Sequence, residues 1–231
     1  MNPRERFVRC NLFKSIDHAP FTEIAVWPQT LERWRKEGLP CDVDPYFYMN
    51  GNEFFGFERW EYIGLLVGMV PSFDYEVIEE DERIIIFRGS DGIVHRALKE
   101  GTVGGTRMSM DQYISFPVSD RKSFYEMKKR YNPFSPVRYP RWWNDIARCY
   151  ENRDYPLALT GIGGFGFYSM LRSWMGTENA CTIFYDDQSL VEEMLDFLID
   201  FFINLTKRAL SDVDVDWYNW FEDFAYKTGP L

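Results

Sequence analysis

An α/β fold built on parallel strands is predicted from three features of the sequence. Apolar, strand-like runs alternate with segments of helical period, the pattern of strand–helix–strand units. Aromatics make up 18% of the residues, with 20 Phe, 14 Tyr and 8 Trp, which points to a thick core or an aromatic-lined pocket. No internal repeat or low-complexity linker divides the chain, so residues 1–231 read as a single domain able to bury a substantial core.

The elements follow in order. Asn2-Pro3-Arg4-Glu5 reads as a helix start, with Asn2 as cap, Pro3 at the first helical position and Glu5 completing a capping box. Phe7, Val8, Cys10 and Leu12 supply the apolar side of that helix to about Lys14. Pro20 to Trp27 reads as a buried strand, and Pro28 opens a helix from Gln29 to Glu37 that Gly38 ends. Residues 73–99 break the alternation. Tyr75–Ile78, Arg83–Phe87 and Ile93–Leu98 are three short β runs, and Asp91-Gly92 is a two-residue hairpin signal between the last two. They predict an antiparallel meander inserted among the parallel units. Helices at roughly 120–131 and 139–151 precede a strand at Tyr155–Thr160 and a helix near 167–175. Asp187 is placed to cap a long helix to about Leu210, along which Leu190, Met194, Phe197, Phe201 and Leu205 keep helical period. A last strand, Val215 to Phe221, ends at Glu222-Asp223.

Composition excludes several function classes. The net charge is −10 and the pI near 4.8, so the surface repels phosphate backbones and nucleic-acid binding is not expected. No run approaches the ~20 apolar residues that span a bilayer, and Met1 leads straight into polar residues without a signal core. Cys10, Cys41, Cys149 and Cys181 lie far apart with no Cys-x-x-Cys pair, as in a reducing cytoplasm. His18 and His95 are the only histidines; neither has a cysteine at ligand spacing, and both read as structural, so no metal ligand is assigned.

Gly161-Ile162-Gly163-Gly164-Phe165-Gly166 matches the dinucleotide-binding spacing G-x-G-x-x-G between a strand and a helix, with Asp186 where a ribose-binding acid would stand. Three features count against that reading. The following helix is interrupted at Gly176-Thr177-Glu178-Asn179, the second strand, Thr182–Tyr185, would be very short, and Asp186 and Asp187 serve better as helix caps. A Gly-rich loop after a parallel strand accounts for the same residues.

Several segments together resemble the uroporphyrinogen decarboxylase family in its broad sense, which includes methyltransferases that work with corrinoid proteins. Pro3-Arg4-Glu5-Arg6-Phe7 followed by Asp17-His18-Ala19-Pro20 is similar to the family's first helix and the lead into its first strand. Asp186 to Leu195 resembles its "DDPELV" helix start, and Phe221-Glu222-Asp223-Phe224-Ala225 resembles the decarboxylases' Phe-(Asp/Glu)-Ser-x-Ala-Gly at a strand end. The resemblance implies a (β/α)8 barrel, incomplete at the C-terminus and carrying the meander, with about 110 further residues in the full-length form and its site at the carboxyl ends of the strands. An open barrel of that kind would expose two strand edges and an apolar interior, so an inactive, aggregation-prone fragment is expected.

Departures from the family shape the functional expectation. The decarboxylases' "RQAGR" run is absent after Val26-Trp27, and the motif serine is Asp223 here. A substrate with eight carboxylates needs cationic partners. The resemblance therefore implies methyl transfer linked to a corrinoid partner protein first, tetrapyrrole decarboxylation second, with a non-catalytic small-ligand-binding protein as the alternative from another class. The methyltransferases' zinc ligands, His-x-Cys and a distant Cys, would fall after residue 231; no cofactor is assigned to the residues present.

Candidate site residues carry alternatives. Glu222 and Asp223 close a strand at the implied catalytic face, as acid/base or substrate-orienting groups, or as a helix cap or ion pair; adjacent strand residues point to opposite sides, so only one can enter the site. Tyr226 offers a donor nearby or a surface position. Arg107, after a Gly-rich turn, can clamp a carboxylate or phosphate, or pair with Asp111. Arg172 and Glu178 flank the Gly-rich loop's helix and either face substrate or pair with each other. Trp27 and Gln29 offer an aromatic wall and an amide hydrogen bond, with core packing the alternative for Trp27.

Overall fold

Asn2 begins the molecule as anticipated: its side chain accepts the Glu5 amide at 2.8 Å and Pro3 opens helix α1 (Pro3–Asn11). In this computed structural model the chain is described over residues 1–23, 26–43, 54–103, 106–107, 110–160, 165–222 and 225–230. Arg4 of α1 reaches Asp216 and Asp214, both at 2.8 Å, and its amide donates to the Asp154 carbonyl. Buried Arg6 holds Asp17 through two of its nitrogens and also pairs with Glu58. These contacts fasten the first helix to segments far along the chain.

Residues 20–23 and 26–27, expected to carry the first strand, have no strand pairing; Ile24 and Ala25 lie outside the described residues. Helix α2 (Pro28–Lys36) follows, with Pro28 at its first position. Strand β1 (Glu61–Tyr62) comes next and pairs in parallel with β6 (Leu157–Ala158). Between them stands the meander: β2 (Glu76–Glu80), β3 (Ile84–Arg88), β4 (Val94–Leu98) and β5 (Gln112–Ser115), all antiparallel and in sequential order. Asp91 shapes the predicted Asp91-Gly92 turn by accepting the Ile93 amide at 3.0 Å. The sequence signalled three of these strands; the fourth, β5, extends the sheet beyond residue 99.

Helices α3 (Arg121–Lys128) and α4 (Trp143–Cys149) lead to β6. After β6 come α5 (Phe167–Met175), α6 (Thr177–Asp186) and α7 (Gln188–Asp212), and the chain closes with a small ribbon, β7 (Ala225–Tyr226) against β8 (Gly229–Pro230). Asp187 caps α7 through the Leu190 amide at 3.0 Å, and Arg121 ties α3 to the same turn through Ser189 and Glu193. Residues 182–185, a strand in a dinucleotide-binding reading, lie inside α6. The break between α5 and α6 falls at Gly176, whose φ of +82° suits glycine, with the Phe116 ring packed where a side chain would be.

Two cores hold this arrangement. One joins α3, α5, α6 and α7 around Phe124, Trp174, Met194 and Phe201; the other lies between the parallel strands and α4 and α7, around Ile63, Leu157, Leu159, Trp143 and Ala209. Each such side chain contributes roughly 1.5–3 kcal/mol by leaving water. Arg138, fully buried, lies against the first core with no carboxylate partner among the described residues. Its guanidinium donates to the carbonyls of Leu66 at 2.7 Å, Asn132 and Arg130 at 3.0 Å, and Gly68, and it lies 4.9 Å from the Phe201 ring. Its burial lowers the guanidinium pKa. The Tyr139 hydroxyl enters the α7 ladder, donating to the Leu205 carbonyl at 2.6 Å and accepting the Ala209 amide at 3.0 Å.

The (β/α)8 barrel expected from the resemblance is not what the chain builds. Parallel pairing is limited to β1 with β6, continued by single bridges from Ala158 to Trp217 and from Phe165 to Trp220. The largest sheet is antiparallel, so the architecture is mixed α/β with no eight-fold β/α repeat among the described residues. A closed barrel needs every strand paired on both sides. Here the described residues of the expected first strand join no sheet, and the residues richest in β-branched side chains satisfy their backbone locally in the meander.

Candidate functional site at the carboxyl edge of the parallel strands

The parallel segments end together. Asp216 accepts from Arg153 at 2.8 Å, from Arg4 at 2.8 Å and from the Leu157 amide at 2.9 Å, which sets the 215–222 segment alongside β6. Burial pushes the Asp216 carboxyl up, but the hydrogen bonds from Arg153 and Arg4, with that of the Leu157 amide, outweigh it and hold the group below the usual carboxylate range. Backbone bonds from Leu159 to Trp217 and from Phe221 to Phe165 continue the alignment. Ligands of parallel α/β units bind outside such carboxyl ends.

The chain enters α5 here, and Gly166 is its N-cap. A side chain at Gly166 would run into the Phe221 carbonyl, so the residue permits the close approach of the 221–222 backbone. Glu222 then accepts the amides of Tyr168 at 3.3 Å and Ser169 at 3.0 Å. A carboxylate 53 residues downstream thus serves amides of the first turn of α5, where helix-end charge favours an anion. Both of its oxygens are committed to that helix.

Aromatic rings wall the same edge. Trp220 packs on Phe167 at 5.0 Å, Phe202 at 5.4 Å and Tyr218 at 4.3 Å, and keeps 47% of its surface open. The Tyr218 hydroxyl donates to the Phe165 carbonyl at 3.0 Å; burial, with the charge of Glu222 nearby, raises its pKa. On the far side of α5 the Tyr168 hydroxyl lies 3.4 Å from Cys181 Sγ, and burial, reinforced by that thiol, pushes the phenol up to about 12.

The structure distributes the predicted site residues over two places. Glu222 binds the first turn of α5 and half-buried Arg172 lies in its last turn; Glu178 is exposed in the first turn of α6. Asp223 lies outside the described residues, as does the side chain of Tyr226, whose backbone belongs to β7. Trp27, Gln29 and Arg107 belong to the meander side. Trp27 precedes α2 and is 61% exposed. Gln29 donates to the carbonyls of Gly101 and Thr106 at 3.2 and 3.0 Å, fixing α2 to the loop that carries Arg107.

Arg107 lies 3.2 Å from Asp111 and over the Phe87 ring at 5.0 Å. Asp111 in turn lies 3.2 Å from His95 Nδ1, while His95 Nε2 faces Asp91 at 3.2 Å and the imidazole stacks on Phe87. This run of charges is internally paired. It ties Arg107 and Asp111 to one face of the meander.

Residues that sequence reasoning passed over are Tyr168, Cys181, Tyr218 and Trp220. The last two had a signal, the alternation of Trp217, Tyr218, Asn219 and Trp220 along a strand, which sends Tyr218 and Trp220 to one side. The Tyr168–Cys181 contact joins two helices and had none. Among the described residues no group of three or more His, Cys, Asp or Glu is arranged to hold a metal ion, and no helix is long and apolar enough to cross a membrane. Comparison with protein-family models, with curated proteins and with solved structures finds no match to this chain.

Proposed function

We propose that the carboxyl edge of β6 and of the 217–222 segment binds a small molecule, in an enzyme related to the uroporphyrinogen decarboxylase family that works in methyl transfer with a corrinoid protein. The observation that carries this reading is the pairing of Glu222 on the α5 N-terminus with the half-open face of Trp220. The N-terminus of α5, an anion-attracting feature of the edge, is already occupied by the chain's own carboxylate. An aromatic surface beside a fixed negative charge suits a neutral or cationic methyl donor. It disfavours a porphyrinogen, whose carboxylates would be brought against Glu222 without compensation.

The test is calorimetric titration of the chain with methylated amines, methyl thioethers, aryl methyl ethers and hydroxocobalamin, each alone and in pairs with the corrinoid. Saturable heat from a methyl donor, lost in a folded Trp220→Ala variant, is expected. Binding of octacarboxylate uroporphyrin in place of any methyl donor would transfer the assignment to tetrapyrrole decarboxylation. Donor binding that is indifferent to Trp220 would remove this edge as the site.

A further inference from the structure

The meander's two edges differ in charge. On β2 every residue is exposed, three of the five are glutamates (Glu76, Glu79 and Glu80), and the pairing with β3 slips at Val77/Glu79. Charge and a bulge are the usual devices that stop an edge strand from taking a further strand. At the opposite edge, β5 has neither charge nor proline, although its pairing with β4 also slips, at Val94/His95, leaving Ile114 as the extra residue. All four of its residues, Gln112-Tyr113-Ile114-Ser115, are exposed, with Tyr113 at 47% and Ile114 at 50%. Only its β4 side is paired among the described residues.

A cleft of about 370 Å³ adjoins this open edge on one face of the sheet, lined by Arg83, Arg96, Ile84, Leu98, Met110 and Gln112. The register explains the grouping: Ile84 stands opposite Leu98, and Glu79, Ile86, Arg96 and Gln112 form one cross-strand row. Arg96 donates to the Gln112 side chain at 3.3 Å, and neither Arg83 nor Arg96 has a carboxylate within 4.0 Å among the described residues. In a chain of net charge −10, two arginines with no carboxylate within 4.0 Å, Asp81 acting on Arg96 only from farther off, thus stand beside an uncharged strand edge.

We propose that β5 receives an extended acidic peptide segment by strand addition, the incoming backbone pairing with β5 and its carboxylates facing the Arg83–Arg96 cleft. The geometry permits both contacts at once. A strand laid beside β5 is two strand spacings from β4, about 9.6 Å. A glutamate side chain on the incoming strand and the arginine side chain of Arg96 together span that distance. Main-chain hydrogen bonds supply affinity, and the cationic cleft selects acidic sequences. This surface is separate from the α5 edge, and the proposal stands without the assignment made there.

The probe is a fluorescein-labelled nine-residue peptide of alternating glutamate and valine, followed by anisotropy against the full chain. Saturable binding is expected. It should weaken at least tenfold when alternate peptide amides are N-methylated, and at least tenfold for the Arg83→Glu/Arg96→Glu variant. Circular dichroism checks the fold of that variant; should it unfold, Arg83→Gln/Arg96→Gln takes its place. Binding that survives N-methylation would reduce the effect to charge attraction and overturn strand addition. Absence of binding would overturn it as well. So would a concentration-dependent dimer that excludes the probe, because the edge would then be covered by a second copy.

Discussion

Replacing Arg138 by methionine tests whether a fully buried cation without an acidic partner stabilises this fold. The guanidinium serves four carbonyls, and they differ in what they retain without it. Arg130 keeps the Val70 amide at 2.8 Å and Asn132 keeps the Ser135 amide at a long 3.4 Å. Leu66 and Gly68 have no other partner in the backbone network of the described residues. Three carbonyls left largely unsatisfied, at roughly 1–3 kcal/mol each, set a gross loss of about 3–9 kcal/mol. Release from the cost of burying the guanidinium offsets several kcal/mol of this, as with other buried charges. The net expectation is a loss of about 3 kcal/mol, or roughly 6–12 °C in Tm for a chain of this size. The assay is urea and thermal unfolding followed by circular dichroism, with Arg138→Lys beside it. Lysine keeps the charge but not the planar fork, and should recover part of the loss. An Arg138→Met protein within about 1 kcal/mol of the parent would refute the reasoning, since it would mean that these loops hold together without the guanidinium.

Three further outcomes are expected. Asp216→Asn leaves buried Arg153 without its carboxylate and should cost about 3–5 kcal/mol in urea unfolding. Because the folded Asp216 pKa is depressed, its stabilising contribution should be complete above the unfolded carboxylate value of about 4 and vanish as pH falls through the lower folded value; urea midpoints from pH 7 downward, parent against variant, should converge in acid. Gly166→Ala should destabilise by about 1–3 kcal/mol through collision with the Phe221 carbonyl, and faster hydrogen exchange at the Phe221 amide should accompany it. Tyr139→Phe should cost no more than about 1 kcal/mol, because the Leu205 carbonyl and Ala209 amide can then bond each other; a large loss of α7 protection in hydrogen exchange would contradict that.

Local chemistry was readable in the sequence where a residue acts on its near neighbours. Asn2 and Asp187 cap the helices they were expected to cap, and Asp91-Gly92 turns the chain between β3 and β4. The break at Gly176 was likewise visible, together with the argument against a dinucleotide site. Pairing between distant segments was not readable. The Pro20–Trp27 run has strand-like composition, yet whether such a run pairs depends on a partner that propensity does not reveal. The same limit applied to β1, whose two residues are fixed only by meeting Leu157 and Ala158. At the candidate site, Glu222 was singled out by its place at the end of a strand. Its bonds to α5 depend on Gly166 lying beneath Phe221, a proximity that only the folded chain supplies. Arg138 had no signal at all, because its partners are main-chain oxygens.

The cap on α5 also carries a consequence for vectorial synthesis. Glu222 lies 54 residues downstream of the Tyr168 amide it serves. A ribosome adding roughly 5–20 residues per second leaves that helix start without its carboxylate for about 3–10 seconds. Throughout this interval α5 can emerge and pack against α6, while its N-terminal turn stays frayed. The edge proposed to bind a ligand therefore sets only once residue 222 has emerged, and a ribosome stalled before codon 222 would display the helices without it.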